Sequence, residues 1–145
     1  MSFQDLPPGW AERPISDPDI LADVVDLCAS MESRFSGALY LLLCGPDGRM
    51  HQPIAIDRWD FDEPSPTQRA TLAPLLEGVA QARVAPRLVA VIARRGRPEP
   101  TGNDLQFAAV LREQVAAAGL RLDGLAIATP LGIWLFRRDA LSAAA

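Results

Sequence analysis

Apolar residues recur at two different spacings in the first part of the chain, and these spacings predict one helix and two strands. Ser16-Asp-Pro-Asp is typical of a helix start, and the apolar positions after it follow helical spacing. The resulting core-facing stripe comprises Ile20, Val24, Leu27, Cys28 and Met31. The dense apolar run 37–44 is followed by Gly-Pro-Asp-Gly and an extended segment through Ile56, which predicts a β-hairpin.

A second helix and a central strand are predicted next. Ser65-Pro-Thr-Gln has the spacing of a capping box, with proline at the first helical position, and predicts a helix to about Ala82. Pro74 lies inside this helix, where a kink is expected. The continuous apolar run 88–93 has no polar side, which favours a central strand covered on both faces.

The last third of the chain predicts a third helix and two more strands. Helical spacing extends from Asn103 to Ala118 and stops at Gly119. The predicted buried side of this helix comprises Leu105, Ala108, Ala109, Leu111, Val115 and Ala118, with Phe107 at its margin. Residues 120–128 and 133–136 suit strands on either side of a turn at 129–132.

These elements give the order α-β-β-α-β-α-β-β, which predicts one α/β domain over residues 16–138. Residues 1–15 form a proline-rich N-terminal arm, whose Phe3, Leu6 and Trp10 are expected to fold back onto the domain. Residues 139–145 are expected to form a flexible tail.

Composition excludes several classes of function. All 14 basic residues are arginine, so no lysine is available for a Schiff base or for a Walker-type phosphate loop. The net charge of −4 gives no strong signal for nucleic acid or for an anionic membrane. The two cysteines, Cys28 and Cys44, lie in apolar segments without redox or metal spacing. Buried free thiols, a cytoplasmic location and no membrane-spanning segment are therefore expected.

The candidate chemistry lies in the stretch from Val91 to Asp104, Val-Ile-Ala-Arg-Arg-Gly-Arg-Pro-Glu-Pro-Thr-Gly-Asn-Asp. The order of its glycine, prolines, hydroxyl residue and aspartate resembles the metal-binding loop of JAMM (MPN, JAB) zinc hydrolases and RadC-like domains. In that loop the preceding strand ends in His-x-His-Pro. The family's glycine, prolines, serine and aspartate fall on Gly96, Pro98, Pro100, Thr101 and Asp104. The resemblance implies a three-layer α-β-α core with a mixed sheet like that of cytidine deaminases.

The zinc chemistry of that family is not expected here. The two histidine positions fall on Val91 and Ala93, which cannot ligate zinc, and the only histidine of the chain is His51. A nucleobase deaminase would also need a zinc-binding Pro-Cys-x-x-Cys, and this sequence has none. The sequence therefore predicts no catalytic residue, no metal and no cofactor.

Two roles remain open for the loop. Thr101 and Asp104 have the spacing of a helix cap, whether or not an ancestor used the aspartate for metal. Arg94, Arg95 and Arg97 lie just before a helix N-terminus, where they could bind an anion or an acidic partner, or form a solvated loop paired with Glu99 or Asp104. Thus the candidate binding residues are Arg94, Arg95, Arg97, Thr101 and Asp104.

The function predicted from these features is a non-catalytic RadC/JAMM-like domain that serves as a cytoplasmic protein-interaction or assembly module. The alternative is a small anionic ligand-binding domain, or a metal-independent enzyme that uses the loop from Arg94 to Asp104. The expected partner is accordingly a protein or a small anionic ligand, and the sequence leaves open whether the chain forms a homodimer.

Overall fold

A five-stranded sheet in the order β2-β1-β3-β4-β5 organises the computed structural model, which describes residues 3–141. The central strand β3 pairs antiparallel with β1 and parallel with β4, while β2 and β5 pair antiparallel at the edges. The predicted α/β class and mixed sheet are confirmed. The strands are β1 Ala38–Cys44, β2 Met50–Asp57, β3 Arg87–Ala93, β4 Arg121–Thr129 and β5 Gly132–Leu135.

Helices cover both faces of this sheet. They are α1 Leu21–Cys28, α2 Met31–Ser36, α3 Ser65–Ala82 and α4 Gly102–Ala117. Alternate side chains of β3 point to opposite faces, as strand geometry requires. Leu88, Ala90 and Ile92 pack in the cluster with α3 and α4, whereas Val89, Val91 and Ala93 pack in the cluster with α1. The prediction that this strand is buried on both faces is therefore confirmed.

The first helix differs from the prediction at both ends. It begins at Leu21 rather than near Ser16, and it ends at Cys28 because Ala29 has an extended backbone. Ser30 then caps the additional helix α2, since its side chain accepts a hydrogen bond from the backbone N–H of Ser33 at 3.1 Å. The predicted stripe is wrong at Leu27 and Met31, which are exposed, because the break after α1 interrupts the helical spacing.

Helix α3 has the predicted length but lacks the predicted capping box. Pro64 is the N-cap residue and no side chain caps the helix. Instead, the amide of Gln68 donates to the backbone oxygen of Asp60 at 2.8 Å and accepts from the Trp59 indole N–H at 3.0 Å. Gln68 therefore fixes the loop before the helix, which leaves its side chain unable to return to the N-cap.

The buried face of α4 is rotated from the predicted one. Phe107, predicted at the margin of the buried side, is fully buried, and Leu105, predicted to be buried, is exposed. Ala109 is also exposed, while Val110 is buried. Phe107 packs edge-on against Phe61 with ring centroids 5.0 Å apart, and this aromatic contact with the β2–α3 loop selects the buried face.

Both ends of the described chain pack against the domain. Leu6 and Trp10 of the arm contact the α1-side cluster, as expected, whereas Phe3 remains about half exposed. Residues 139–141 of the expected flexible tail belong to a 3-10 helix, 138–141, whose Leu141 packs in the α3–α4 cluster. Residues 142–145 of the predicted tail lie outside the described residues, as do residues 1 and 2.

Both cysteines are free, with Cys44 buried and Cys28 partly buried. Within residues 3–141, no helix is both long and apolar enough to cross a membrane.

Candidate functional site

The loop between β3 and α4, residues 94–101, continues the geometry of the central strand. Arg94 follows Ile92 in the strand alternation, so its side chain falls on the side of the sheet that carries α3 and α4. Its backbone N–H donates to the oxygen of Ala128 at 3.1 Å, which extends the contact with β4 by one residue. Gly96 then takes a φ of +93°, a conformation that favours glycine and reverses the chain toward α4.

Every N–H of the Arg94 guanidinium has a partner inside this loop or at the start of α4. Nε donates to Asp104 Oδ1 at 3.0 Å, and Nη2 donates to Asp104 Oδ2 at 2.5 Å. Nη1 donates to the backbone oxygens of Arg95 and Arg97, both at 2.8 Å, and Nη2 also donates to the oxygen of Glu99 at 3.2 Å. Because a guanidinium has five N–H groups, Arg94 has none left for a ligand.

The Asp104 carboxylate is also fully engaged in hydrogen bonds within the protein. The predicted helix cap is confirmed. The Thr101 hydroxyl accepts from the Asp104 backbone N–H at 3.2 Å, and Asp104 Oδ2 accepts from the Thr101 backbone N–H at 2.8 Å. Asp104 is 1% exposed, and both of its carboxylate oxygens carry charge-assisted bonds from Arg94. Arg94, Thr101 and Asp104 thus form one closed hydrogen-bonded unit.

The positions that match the zinc ligands of the JAMM loop do not share one face of the sheet. Val91 and Ala93 are fully buried in the α1-side cluster, whereas α4, which carries Asp104, packs on the opposite face. His51 lies on the edge strand β2 beside Gly45, at the hairpin turn. Among residues 3–141, no three His, Cys, Asp or Glu side chains lie close enough together to hold a metal ion.

Arg95 and Arg97 behave differently from Arg94. Both are exposed. Arg95 Nε donates to the backbone oxygen of Phe35 at 2.7 Å, and its guanidinium carbon lies 5.9 Å from the centroid of the Phe35 ring. The side chain of Arg97 has no hydrogen bond or ion pair with the part of the chain that the structure describes. Of the two alternatives for the loop, pairing with Asp104 therefore holds for Arg94 alone.

Arg34, which the sequence did not indicate as a functional residue, holds α2 against the end of β4. The Arg34 side chain is 5% exposed; its Nη1 donates to the oxygen of Thr129 at 3.3 Å, and its Nη2 pairs with Asp26 at 2.9 Å. A single arginine in a six-residue helix gave no signal for this role. Its bonds place Phe35 beside the loop and close to the turn that follows β4.

Four exposed side chains border this end of the sheet. They are Phe35, Arg95, Arg97 and Leu131, and they are called the loop-end surface below. Phe35 is 50% and Leu131 is 74% exposed. The loop and the turn that carries Leu131 are close, since a Cβ added to Gly132 would lie 3.7 Å from Pro98 Cγ. Sequence alone could not identify Phe35 or Leu131, because an isolated apolar residue is common on protein surfaces.

The cleft beside the loop is lined by equal numbers of positive and negative side chains. Its volume is about 570 Å³, and it is lined by three arginines (Arg94, Arg95 and Arg97) and three acids (Asp62, Glu99 and Asp104). Asp62 also accepts a hydrogen bond from the Asn103 amide at 2.6 Å. Such a cleft does not concentrate small anions, whereas the outward guanidinium groups of Arg95 and Arg97 remain accessible.

Neither a protein-family model nor a curated protein matches this sequence.

Proposed function

We propose that the protein is a non-catalytic, cytoplasmic binding or assembly module that docks an acidic segment of a partner protein on the loop-end surface. The observation that carries this proposal is that the three loop arginines differ in their contacts. Arg94 and Asp104 neutralise each other and fix the backbone, while Arg95 and Arg97 extend outward. A side chain on a fixed backbone loses less conformational freedom when it binds, which favours a specific contact.

The chemistry of the surface favours acidic residues next to an apolar one. Arg95 and Arg97 supply N–H groups suited to carboxylates, since among their side-chain donors only Nε of Arg95 is bound within residues 3–141. Phe35 and Leu131 supply exposed apolar area beside them. The exposed Glu99 reduces the local positive charge, so an extended segment that reaches both arginines fits better than a single compact anion.

A metal-independent enzyme built on Arg94 and Asp104 is less well supported. A substrate would have to displace bonds that Asp104 receives from Arg94 and from the backbone of Thr101. Breaking them would expose a buried carboxylate and remove the cap of α4 at the same time. The same objection applies to a small anionic ligand held by these two residues.

Peptide binding tests the proposal directly. A fluorescein-labelled peptide, Glu-Glu-Leu-Glu-Asp-Glu, should bind the wild-type protein at low salt, whereas Gln-Gln-Leu-Gln-Asn-Gln should not. The variant Arg95→Gln/Arg97→Gln should bind the acidic peptide at least about tenfold more weakly, because each charge-assisted bond contributes about 1.5–3 kcal/mol.

Arg49→Gln/Arg69→Gln is the matched control. It removes two exposed arginines that lie outside the loop-end surface and pair with exposed acids. The control should bind the acidic peptide like the wild type. Equal affinity of the two double variants would overturn the proposal, as would equal binding of the acidic and amide peptides by the wild type.

A further inference from the structure

A second charged cavity lies at the opposite end of the sheet from the β3–α4 loop. The parallel strands β3 and β4 begin side by side there, with Arg87 in register with Arg121. The C-terminal half of α4 and the 3-10 helix 138–141 complete its walls, and the cavity volume is about 340 Å³. This volume lies within the usual range for small-molecule sites.

Four arginines line this cavity with a single acid. The arginines are Arg87, Arg112, Arg121 and Arg138, and the acid is Asp123. Four positive charges and one negative charge leave a net charge of +3. Asp17 and Asp47 lie near Arg138 and Arg87, but each is paired with another arginine, Arg13 at 2.6 Å and Arg49 at 3.3 Å. Arg13 and Arg49 also pair with a second acid each, Asp19 and Glu12, so these two groups add two net negative charges outside the lining and leave the arginines in excess by one charge.

A β-bulge gives Asp123 its position. Leu88 pairs with Leu122 and Val89 pairs with Gly124, so Asp123 is the extra residue on β4. Its side chain is 4% exposed, accepts from Arg87 Nε at 2.6 Å and lies 3.1 Å from Arg121 Nε. Bulges are uncommon in parallel pairs and often direct a side chain at a functional site. Here the bulge turns a carboxylate inward, where it holds two adjacent guanidinium groups that would otherwise repel each other.

Many N–H donors of the four arginines remain without partners in the described chain. Asp123 pairs with Nε of Arg87 and of Arg121, and only one terminal nitrogen of Arg87 is bound, to the oxygen of Pro46. Arg138 donates one Nη2 bond to the oxygen of Ser16 at 3.0 Å. The Arg112 side chain makes no hydrogen bond or ion pair with residues 3–141. Terminal guanidinium nitrogens of this kind bind oxyanions in a bidentate manner.

The wall of the cavity between the arginines is apolar. It comprises Val115, Leu120, Leu122 and Leu141. We propose that this cavity binds a small organic phosphate, with its phosphate oxygens on the four arginines and its apolar body against this wall. A phosphate or diphosphate carries two to three negative charges and can pair with several of these guanidinium groups at once, which a single carboxylate would not.

Isothermal titration at low salt tests this site with three probes, namely ADP, pyrophosphate and adenosine. ADP should bind more tightly than pyrophosphate, because only ADP contacts both the arginines and the apolar wall. Adenosine should not bind measurably, and the affinity for ADP should fall as NaCl is raised. Arg112→Gln should weaken ADP binding at least about tenfold, because it removes charge-assisted bonds without leaving a partner unsatisfied.

Arg97→Gln is the matched control, since Arg97 is also unpaired within the described chain but lies on the loop-end surface. Its affinity for ADP should equal that of the wild type. Arg138→Gln serves as a second cavity variant should Arg112→Gln fail to fold. No ADP binding at millimolar concentration, or equal weakening by Arg112→Gln and Arg97→Gln, would overturn the proposal. The acidic-peptide site is tested separately, by Arg95→Gln/Arg97→Gln and its own control.

Discussion

The Arg94 guanidinium and the Asp104 carboxylate lie side by side, with Nη2–Oδ2 and Nε–Oδ1 distances of 2.5 and 3.0 Å. The side chain of Arg94 is 17% exposed and that of Asp104 is 1% exposed. This ion pair joins the end of the central strand to the start of α4. Because it is largely withdrawn from water, each partner depends on the other for its hydrogen bonds and its charge balance.

Loss of Arg94 should therefore destabilise the protein. Arg94→Gln leaves the buried Asp104 carboxylate without its counter-ion, and the free energy of unfolding should fall by about 3 kcal/mol. Arg97→Gln removes the same charge three residues later, but the Arg97 side chain has no partner in the described chain, so its effect should stay within about 0.5 kcal/mol. Urea denaturation measures both. Equal midpoints for the two variants would contradict the assigned role of Arg94.

The coupling between Arg94 and Asp104 should be measurable in a double-mutant cycle. Asp104→Asn removes the charge but can keep part of the cap, and we expect Arg94→Gln and Asp104→Asn to be non-additive by about 1–3 kcal/mol. Arg97→Gln combined with Asp104→Asn is the control cycle and should be additive. Additivity in both cycles would mean that Asp104 acts as a helix cap alone, with the smaller cost of about 1 kcal/mol that a cap carries.

The strands and the last two helices could be predicted because local signals fix them. The uninterrupted apolar run of β3 requires burial on both faces, and the Thr101–Asp104 spacing begins a helix wherever that helix packs. The same apolar run, however, does not indicate which face α4 covers. The strand alternation that turns Arg94 toward α4 could therefore be interpreted only when the position of α4 was known, and the exposure of Arg97 depends on the chain reversal at Gly96.

The face of α4 could not be predicted for a related reason. Leu105, Ala108, Ala109 and Val110 are all apolar, so helical spacing permits more than one buried stripe. The choice depends on Trp59 and Phe61 in the loop before α3, which contact Phe107 with centroid distances of 6.1 and 5.0 Å. Contacts of this kind join residues more than 40 positions apart, and no local pattern records them.

Alanine substitutions should distinguish the two faces of α4. Phe107→Ala should lower the free energy of unfolding by about 3–5 kcal/mol, because it leaves a cavity in the aromatic cluster. Leu105→Ala should change it by less than about 0.5 kcal/mol, since Leu105 is mostly exposed and alanine favours helices. Thermal or urea unfolding provides the comparison. A larger loss for Leu105→Ala would restore the face that the sequence predicted.

The two thiols should be unreactive in the folded protein. Burial raises the pKa of Cys28 to about 11 and that of Cys44 to about 12, so both are protonated at pH 8. Iodoacetamide should label them far more slowly in buffer than in urea, as mass spectrometry would show. Labelling at the same rate in both conditions would contradict the burial of these side chains.

The same pKa shifts predict a loss of stability at alkaline pH. Above pH 9 the unfolded chain releases its thiol protons, while the folded protein keeps them until about pH 11–12. The unfolded state then binds fewer protons, and the free energy of unfolding falls as pH rises through this window. Cys28→Ala/Cys44→Ala should reduce that slope. An unchanged slope in the double variant would assign the alkaline loss to other groups.

Placing histidines at the two positions that match the JAMM zinc ligands tests the resemblance most directly. If the loop were only a zinc site that had lost its ligands, Val91→His/Ala93→His would restore metal binding. We expect no stoichiometric zinc in this variant, and none in the wild type. Side chains at positions 91 and 93 point to the α1 side, and the Asp104 carboxylate is already bonded to Arg94. The variant should also be less stable, because imidazoles would replace aliphatic groups in the core.

Arg95→His/Arg97→His is the control, because it has the same spacing on the exposed loop and measures adventitious zinc binding. Elemental analysis that finds about one zinc per chain in the core variant, together with a melting temperature lowered by EDTA in that variant alone, would show that Asp104 can still complete a zinc site.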